Sequence, residues 1–207
     1  MKQAKPIQIG HGDDNFPAIA LIEFNSIAIG ILAGDAMVKK APLAMVKAGT
    51  IHPGKYLVLV GGEVAPVEES YNKGLKVGNE ALVDQIFLPD IHPQVLQAVL
   101  GKKTPNQFES LGVIETSTVA ANIGAADAAV KGAHVIILEI RLADGLGGHG
   151  LTLLGGKVED VQAAVEIGVS RIKSKEIDVH TTVVPRIDDL MSKEIDRASR
   201  FFNIADE

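Results

Sequence analysis

Two short loops hold the most unusual local chemistry of the chain. One reads Thr50-Ile51-His52-Pro53-Gly54-Lys55 and the other Leu142-Ala143-Asp144-Gly145-Leu146-Gly147-Gly148-His149. Glycine lets backbone N–H groups approach an anion closely, so a loop of this kind can cradle a phosphate. Each loop here precedes a strand-like run, whereas the nucleotide fingerprints lead from a strand into a helix, and no Lys-Ser or Lys-Thr pair follows. The loops therefore read as plain hairpin turns or as turns placed at a subunit junction. The histidines are scattered: His11, His92, His134 and His180 read as turn or surface residues, with no metal-ligand pair on one helix. Glu23 and Glu115 stand in two similar apolar runs and could serve acid–base chemistry with His52 or His149. No histidine, serine or metal ligand accompanies either carboxylate in sequence, so a structural role is expected. Asp35/Lys39 and Asp127/Lys131 have the i, i+4 spacing that stabilises a helix.

The elements that must position these residues occur twice. Ile22/Ile114, Glu23/Glu115, Ala28/Ala120, Ile31/Ile123, Asp35/Asp127, Val38/Val130 and Lys39/Lys131 coincide at one constant offset. After a two-residue shift, Leu59/Leu153, Gly61-Gly62/Gly155-Gly156, Val67/Val161 and Gly74/Gly168 follow. The unit is too long for a solenoid repeat and reads as a duplicated domain. Each copy predicts strand, helix, strand, strand, helix, strand and a terminal helix, which is the split-βαβ pattern. Ser26 is the expected N-cap of the first helix and Pro42 its stop. The fold expected is α/β (α+β), two tandem split-βαβ, ferredoxin-like domains over 18–109 and 110–207. Residues 1–17 read as a mobile arm, 101–109 as a polar linker, and the stretch from Arg186 onward as a charged terminal helix.

Of the 207 residues, 46% are hydrophobic and only 4% aromatic, a composition suited to thin elements packed on each other and on neighbouring subunits. A net charge of −6 gives no footprint for nucleic acid or anionic lipid. No cysteine is present, which excludes disulfides, thiolate metal sites and cysteine nucleophiles. The start lacks a signal-peptide core and no apolar run is long enough to span a membrane. A soluble, cytoplasmic protein is expected.

At DAMVKKA, its copy DAAVKGA and the Pro-Gly-Lys loop, the chain resembles the shell proteins of bacterial microcompartments. It is most similar to their tandem-domain (BMC-T) class, including the tandem shell proteins of propanediol-utilisation compartments. IEFNSIAIGILAGDAMVKKA, PGKYLVLVGGEVAPVE, IHPQVLQA, VAANIGAADAAVKGA and GLGGHGLTLLGG together carry the likeness, over about residues 19–190. The resemblance implies two BMC domains in the standard element order and a non-enzymatic subunit. It implies a homotrimer with pseudo-sixfold symmetry that tiles into a shell with hexameric and pentameric shell proteins, and a central pore passing small metabolites. It puts His52, Pro53 and Gly54 with Gly145, Leu146, Gly147 and Gly148 at the pore, and Lys39, Lys131 and Arg186 at the edges between tiles. Gln94 aligns with Arg186, so the two kinds of edge should differ chemically. In propanediol-type relatives a cysteine stands at the position of His52 and three copies hold an iron–sulfur cluster, a ligation this cysteine-free chain lacks. Three His52 rings could offer nitrogens to zinc, but no carboxylate beside His52 in sequence supports such a site, and no metal or other cofactor is assigned. The alternative function is a trimeric regulator of the same fold that binds a small effector between subunits.

Overall fold

The computed structural model describes residues 16–104, 108–172 and 176–197. The first copy runs β1 (Ala18–Phe24), α1 (Ile27–Lys40), β2 (Met45–Ile51), β3 (Lys55–Gly62), α2 (Val64–Gly78), β4 (Leu82–Leu88) and α3 (Pro93–Val99). The second runs β5 (Ser110–Thr116), α4 (Val119–Gly132), β6 (Ile136–Leu142), β7 (Gly150–Gly156), α5 (Val158–Ile172), β8 (Val179–Val184) and α6 (Asp189–Arg197). Ser26 caps α1, its hydroxyl oxygen accepting from the Ile29 N–H at 3.4 Å, and the helix stops before Pro42. Lys39 and Lys40 in its last turn complement the helix dipole.

Each copy folds into a four-stranded antiparallel sheet, ordered β2-β3-β1-β4 and β6-β7-β5-β8. The third strand of each copy is inserted between the first and second, which is the split βαβ expected from the element order. The strand registers repeat at the carboxylates, although β1–β4 shifts at Glu23/Phe24 and β6–β7 at Ile137/Glu139 where the other copy does not. Glu23 lies between Leu57 and Asp84, and Glu115 lies between Leu151 and His180.

β1 is buried along its whole length, and its alternating side chains enter two different cores. Ala18, Ala20, Ile22 and Phe24 pack with Met37 of α1 and Val67 of α2. Ile19 and Leu21 join a larger core with Leu96 of α3, Ile123 of α4 and Ile137 of β6. Burial on both faces explains why AIALIEF reads as an unbroken apolar run. The larger core is a junction between the copies: α3 packs on β6 and α4 while its apolar side chains share the core with Ile19 and Leu21 of the first sheet.

Residues 1–15 of the expected arm, the middle of the expected linker (105–107) and the end of the expected terminal helix (198–207) lie outside the described residues. Phe16 packs over Gly61, and the Pro17 carbonyl accepts from Ile91 N at 3.0 Å, so these two residues are tied to the first sheet. The terminal helix begins at Asp189, leaving Arg186 in the turn after β8.

Gly30 of α1 lies against Tyr56 of β3, where an added Cβ would sit 2.6 Å from the tyrosine Cβ. At the same places in the second copy the sizes are exchanged, with Asn122 on the helix and Gly150 on the strand. Asn122 uses its position fully, donating to Ile114 O at 3.0 Å and accepting from the Thr152 hydroxyl at 2.6 Å. Gly30→Ala should therefore lower the unfolding free energy by about 1–3 kcal/mol through overpacking. Adding Tyr56→Gly should make the alanine's own effect much smaller in urea denaturation. An unchanged midpoint in the single variant would refute this packing account.

Candidate functional site

The most constructed polar site lies where the first copy receives helix α4. Val119 to Asp127 of this helix are all buried, so its leading N–H groups need acceptors inside the protein. Glu23 supplies one: its Oε1 accepts from Ala120 N at 2.7 Å, with the side chain wholly inaccessible to solvent. Asp84, on the neighbouring strand, accepts the Thr118 hydroxyl at 2.6 Å and the Gln85 N–H at 2.8 Å. Among the described residues Glu23 Oε2 accepts no hydrogen bond, and it faces Lys55 Nζ at 3.8 Å. The carboxyl of Glu23 is pushed up to about 7 by its burial. The Ala120 N–H and Lys55 act in the opposite direction, and the nearby Asp84 adds to the rise.

The far end of the junction is also polar. Asp127 accepts from His92 N at 2.8 Å and pairs with Lys131 at 2.8 Å. Lys131 also donates to the Asp90 carbonyl, so this lysine bridges the two copies. The Gln94 side-chain oxygen accepts from Ile137 N at 2.9 Å on β6. His92 caps α3 through Nδ1, which accepts from Gln94 N at 3.3 Å. A cavity of about 310 Å³ opens beside this junction, between β2, α3 and β6, where Lys47, Glu139 and Arg141 join apolar Leu21 and Leu57.

The equivalent place in the second copy is open to solvent among the described residues. Glu115 is 42% exposed and its Oε1 lies 2.9 Å from His149 Nδ1. His149 occupies the place of Lys55, one residue before the equivalent strand pair Phe24–Tyr56 and Thr116–Gly150. His180 holds the ladder position of Asp84 and is exposed.

The two loops singled out in the sequence come together. The His52–Pro53 peptide is cis, and a Cβ on Gly148 would meet the His52 carbonyl at 2.8 Å and Pro53 Cδ at 3.4 Å. Gly54, Gly145, Gly147 and Gly148 all have positive φ, the backbone region that L side chains avoid. Leu146 N donates to Ala143 O at 2.9 Å and Ala143 N to His149 O at 3.1 Å, closing the second loop. His52, Pro53, Gly54, Gly145 and Gly147 are exposed, and Leu146 is half-buried. Among the described residues of one chain, no three histidine, aspartate or glutamate side chains converge as a metal site.

Lys39 differs from Lys131: its side chain is 74% exposed and, among the described residues, pairs with Asp35 alone, at 2.6 Å on the same helix. Arg186 is exposed. The alignment of Arg186 with Gln94 needs correction. The ladders pair Ile19 with Leu88 and Leu111 with Val184, so the residue equivalent to Arg186 is Asp90. Matching Pro93-Gln94 to Pro185-Arg186 placed the equivalence four residues too far along the chain, because the proline that the strand pairing makes equivalent to Pro185 is Pro89. Sequence reasoning missed the roles of Lys55, Asp84 and Thr118. The available signal was Glu23 itself, a carboxylate repeated at the same place in two apolar strands.

Two β-α-β-β-α-β units with this junction and these loops define a tandem-domain protein of one known architecture. The BMC domain model matches residues 18–91 and again 110–187, and the chain belongs to the BMC-domain family of bacterial microcompartment proteins. It is 37% identical over 178 residues to the bacterial microcompartment shell protein PduT of Citrobacter freundii, covering 86% of this chain and 97% of that protein. It is 27% identical to the carboxysome assembly protein CcmO of Synechocystis, over 78% of this chain and 59% of that one. A microcompartment protein from Desulfitobacterium hafniense of known crystal structure is 37% identical, with a TM-score of 0.76 over 86% of this chain and 99% of that chain. A fused permuted hexameric shell protein shares the fold, with a TM-score of 0.54 at 23% identity over 75% of this chain and 81% of that one.

The raised Glu23 carboxyl sets a sign for stability against pH. The folded chain holds this proton more tightly than the unfolded chain, so the contribution is complete below about pH 4.5 and lost as pH rises to about 7. The loss is on the order of 3 kcal/mol. Glu23→Gln keeps an acceptor for Ala120 N and removes the ionisation. Urea unfolding from acid to neutral pH should show a flatter profile for this variant at matched protein concentration. Parallel profiles would refute the assignment.

Proposed function

We propose that this chain is a structural, non-enzymatic subunit of a microcompartment shell, acting as a pseudohexameric homotrimer. The observation that carries the reading is an imbalance between two equivalent helices. α4 is buried in the junction, whereas Ile31 and Leu32 of α1 are 53% and 55% exposed. Three chains closed in a ring would give every first domain the neighbour that every second domain already has, as cyclic symmetry requires. The kinship with shell protein PduT supports the same reading.

In that ring the converging loops face the axis. His52, Pro53 and Gly54 alternate with Gly145, Leu146, Gly147 and Gly148 around a pore for small metabolites. Lys39, Lys131 and Arg186 serve the edges between tiles, where hexameric and pentameric shell proteins would meet the trimer. The edges are unequal: Lys131 is held by Asp127 and Asp90, while the second domain has Arg186 at the ladder place of Asp90. Lys39 and Arg186 thus offer cationic contacts with no acid corresponding to Asp90.

Electron microscopy of the purified chain, alone and with a hexameric shell protein, should show hexagonally ordered sheets. Lys39→Ala should leave trimers intact and reduce the sheets. Lys131→Ala should also lower chain stability, by roughly 1 kcal/mol, because it removes a bridge within the chain. Sheets unchanged by Lys39→Ala would remove the edge assignment, and a chain that never trimerises would remove the ring.

A further inference from the structure

We propose that Glu115, with His149 and His180, forms a socket that receives the N-terminus of helix α1 from a second copy of this chain. The proposal rests on the ring of three chains and specifies the contacts that close it. The occupied version of the socket is the template. There Glu23 accepts from Ala120 N of α4 and Asp84 accepts the Thr118 hydroxyl, beside Lys55. Strand register places Glu115 at Glu23, and His180 at Asp84, with no adjustment. On the inserting side, Ala28 stands where Ala120 does and Ser26 where Thr118 does. Glu115 Oε1 then accepts from Ala28 N of the second copy, and a ring nitrogen of His180 accepts its Ser26 hydroxyl. Ser26 Oγ continues to accept from Ile29 N, as it does in the single chain.

Shape supplies an independent argument. In the occupied socket Gly124 of α4 faces Ile86, and a Cβ there would lie 2.7 Å from the isoleucine Cδ1. At the place of Gly124, α1 carries Leu32, which an isoleucine opposite would exclude. The ladder puts Thr182 at the place of Ile86, pairing with Val113 as Ile86 pairs with Leu21, and Thr182 is exposed. The small residue and the large one have changed sides. Each α1 therefore fits the second domain of another copy and is too large for the first-domain socket. This exchange also directs assembly, since a first domain cannot accept α1 and rings form with one polarity.

The charged and titratable groups facing the socket are Glu115 on β5, His149 before β7 and His180 on β8. The N-terminus of α1 adds its helix dipole, which favours a carboxylate at this point. Docking seals Glu115 as Glu23 is sealed, so its hydrogen bond to the helix becomes a requirement for closure.

The test uses the full chain, with trimer dissociation followed by sedimentation velocity over a concentration series. Amide hydrogen exchange of the first turn of α1 is read in parallel. Glu115→Ala, which removes the acceptor, should raise the trimer dissociation concentration about tenfold or more and speed exchange in that turn, with the circular dichroism of the chain unchanged. Thr182→Ile should loosen the trimer by steric conflict, and adding Leu32→Gly should restore part of the affinity by recreating the Gly124–Ile86 pairing. Should Glu115→Ala and Thr182→Ile chains trimerise as tightly as wild type, the socket is refuted while the ring stands. If both variants alter only melting of the single chain, Glu115 acts within its own domain and the socket is likewise refuted. If the wild-type chain itself remains monomeric, the ring and the socket are refuted together.

Discussion

A helix sealed from water must have its first N–H groups satisfied by the protein, because an unmade backbone hydrogen bond in the interior costs as much as a lost one. Helix α4 is in that position, and the rest of the structure is arranged around the solution. Glu23 and Asp84 reach the helix start from adjacent strands of the other domain. Both strands must then lie in register, and the Glu23–Asp84 ladder pair provides it. The carboxylate is costly to bury, as the rise of Glu23 to about 7 records, with Lys55 and the helix N–H offsetting part of the cost. One polar contact thereby fixes the angle at which two otherwise apolar surfaces meet. The apolar core between them, from Ile19 and Leu21 to Ile123 and Ile137, supplies area but little direction.

Much of this fold was legible as pattern. β3 runs over the residues its apolar stretch marked, Ser26 and Pro42 bound α1 as their chemistry requires, and the duplication gave the second domain from the first. What the pattern could not carry was destination. The periodicity of α3 marks an apolar face without saying that the face belongs to β6 and α4 of the other domain. Glu23 stood out as a carboxylate in a buried strand, yet its partner Ala120 is 97 positions away and contributes a backbone N–H, which has no sequence signature. The equivalence of Arg186 failed for a different reason: of two nearby prolines, Pro93 was matched to Pro185, whereas pairing with β1 and β5 selects Pro89.

The loops show the same division. Their glycines were visible, and positive φ at Gly54, Gly145, Gly147 and Gly148 is what those residues permit. That the Gly148 backbone lies against the His52 carbonyl depends on the junction above them, which brings the β2–β3 and β6–β7 turns to one place.

Duplication within one chain also releases a constraint that identical subunits cannot escape. In a ring of identical domains, every helix start and every socket must fit one another, so no position can enlarge on one side without clashing everywhere. Here the exchanges come in pairs. Gly30 with Tyr56 becomes Asn122 with Gly150 inside the domains, and Gly124 with Ile86 becomes Leu32 with Thr182 on surfaces that face other elements. In the first exchange the paired positions sit in one domain, so volume is conserved within its own core. In the second they sit in different domains, so volume is conserved only if the domains are matched across copies. A single chain folding alone would exert no such pressure on Leu32 and Thr182, both of which are exposed. Their complementary sizes are what the proposed ring requires of them, since among the described residues of one chain both stay exposed.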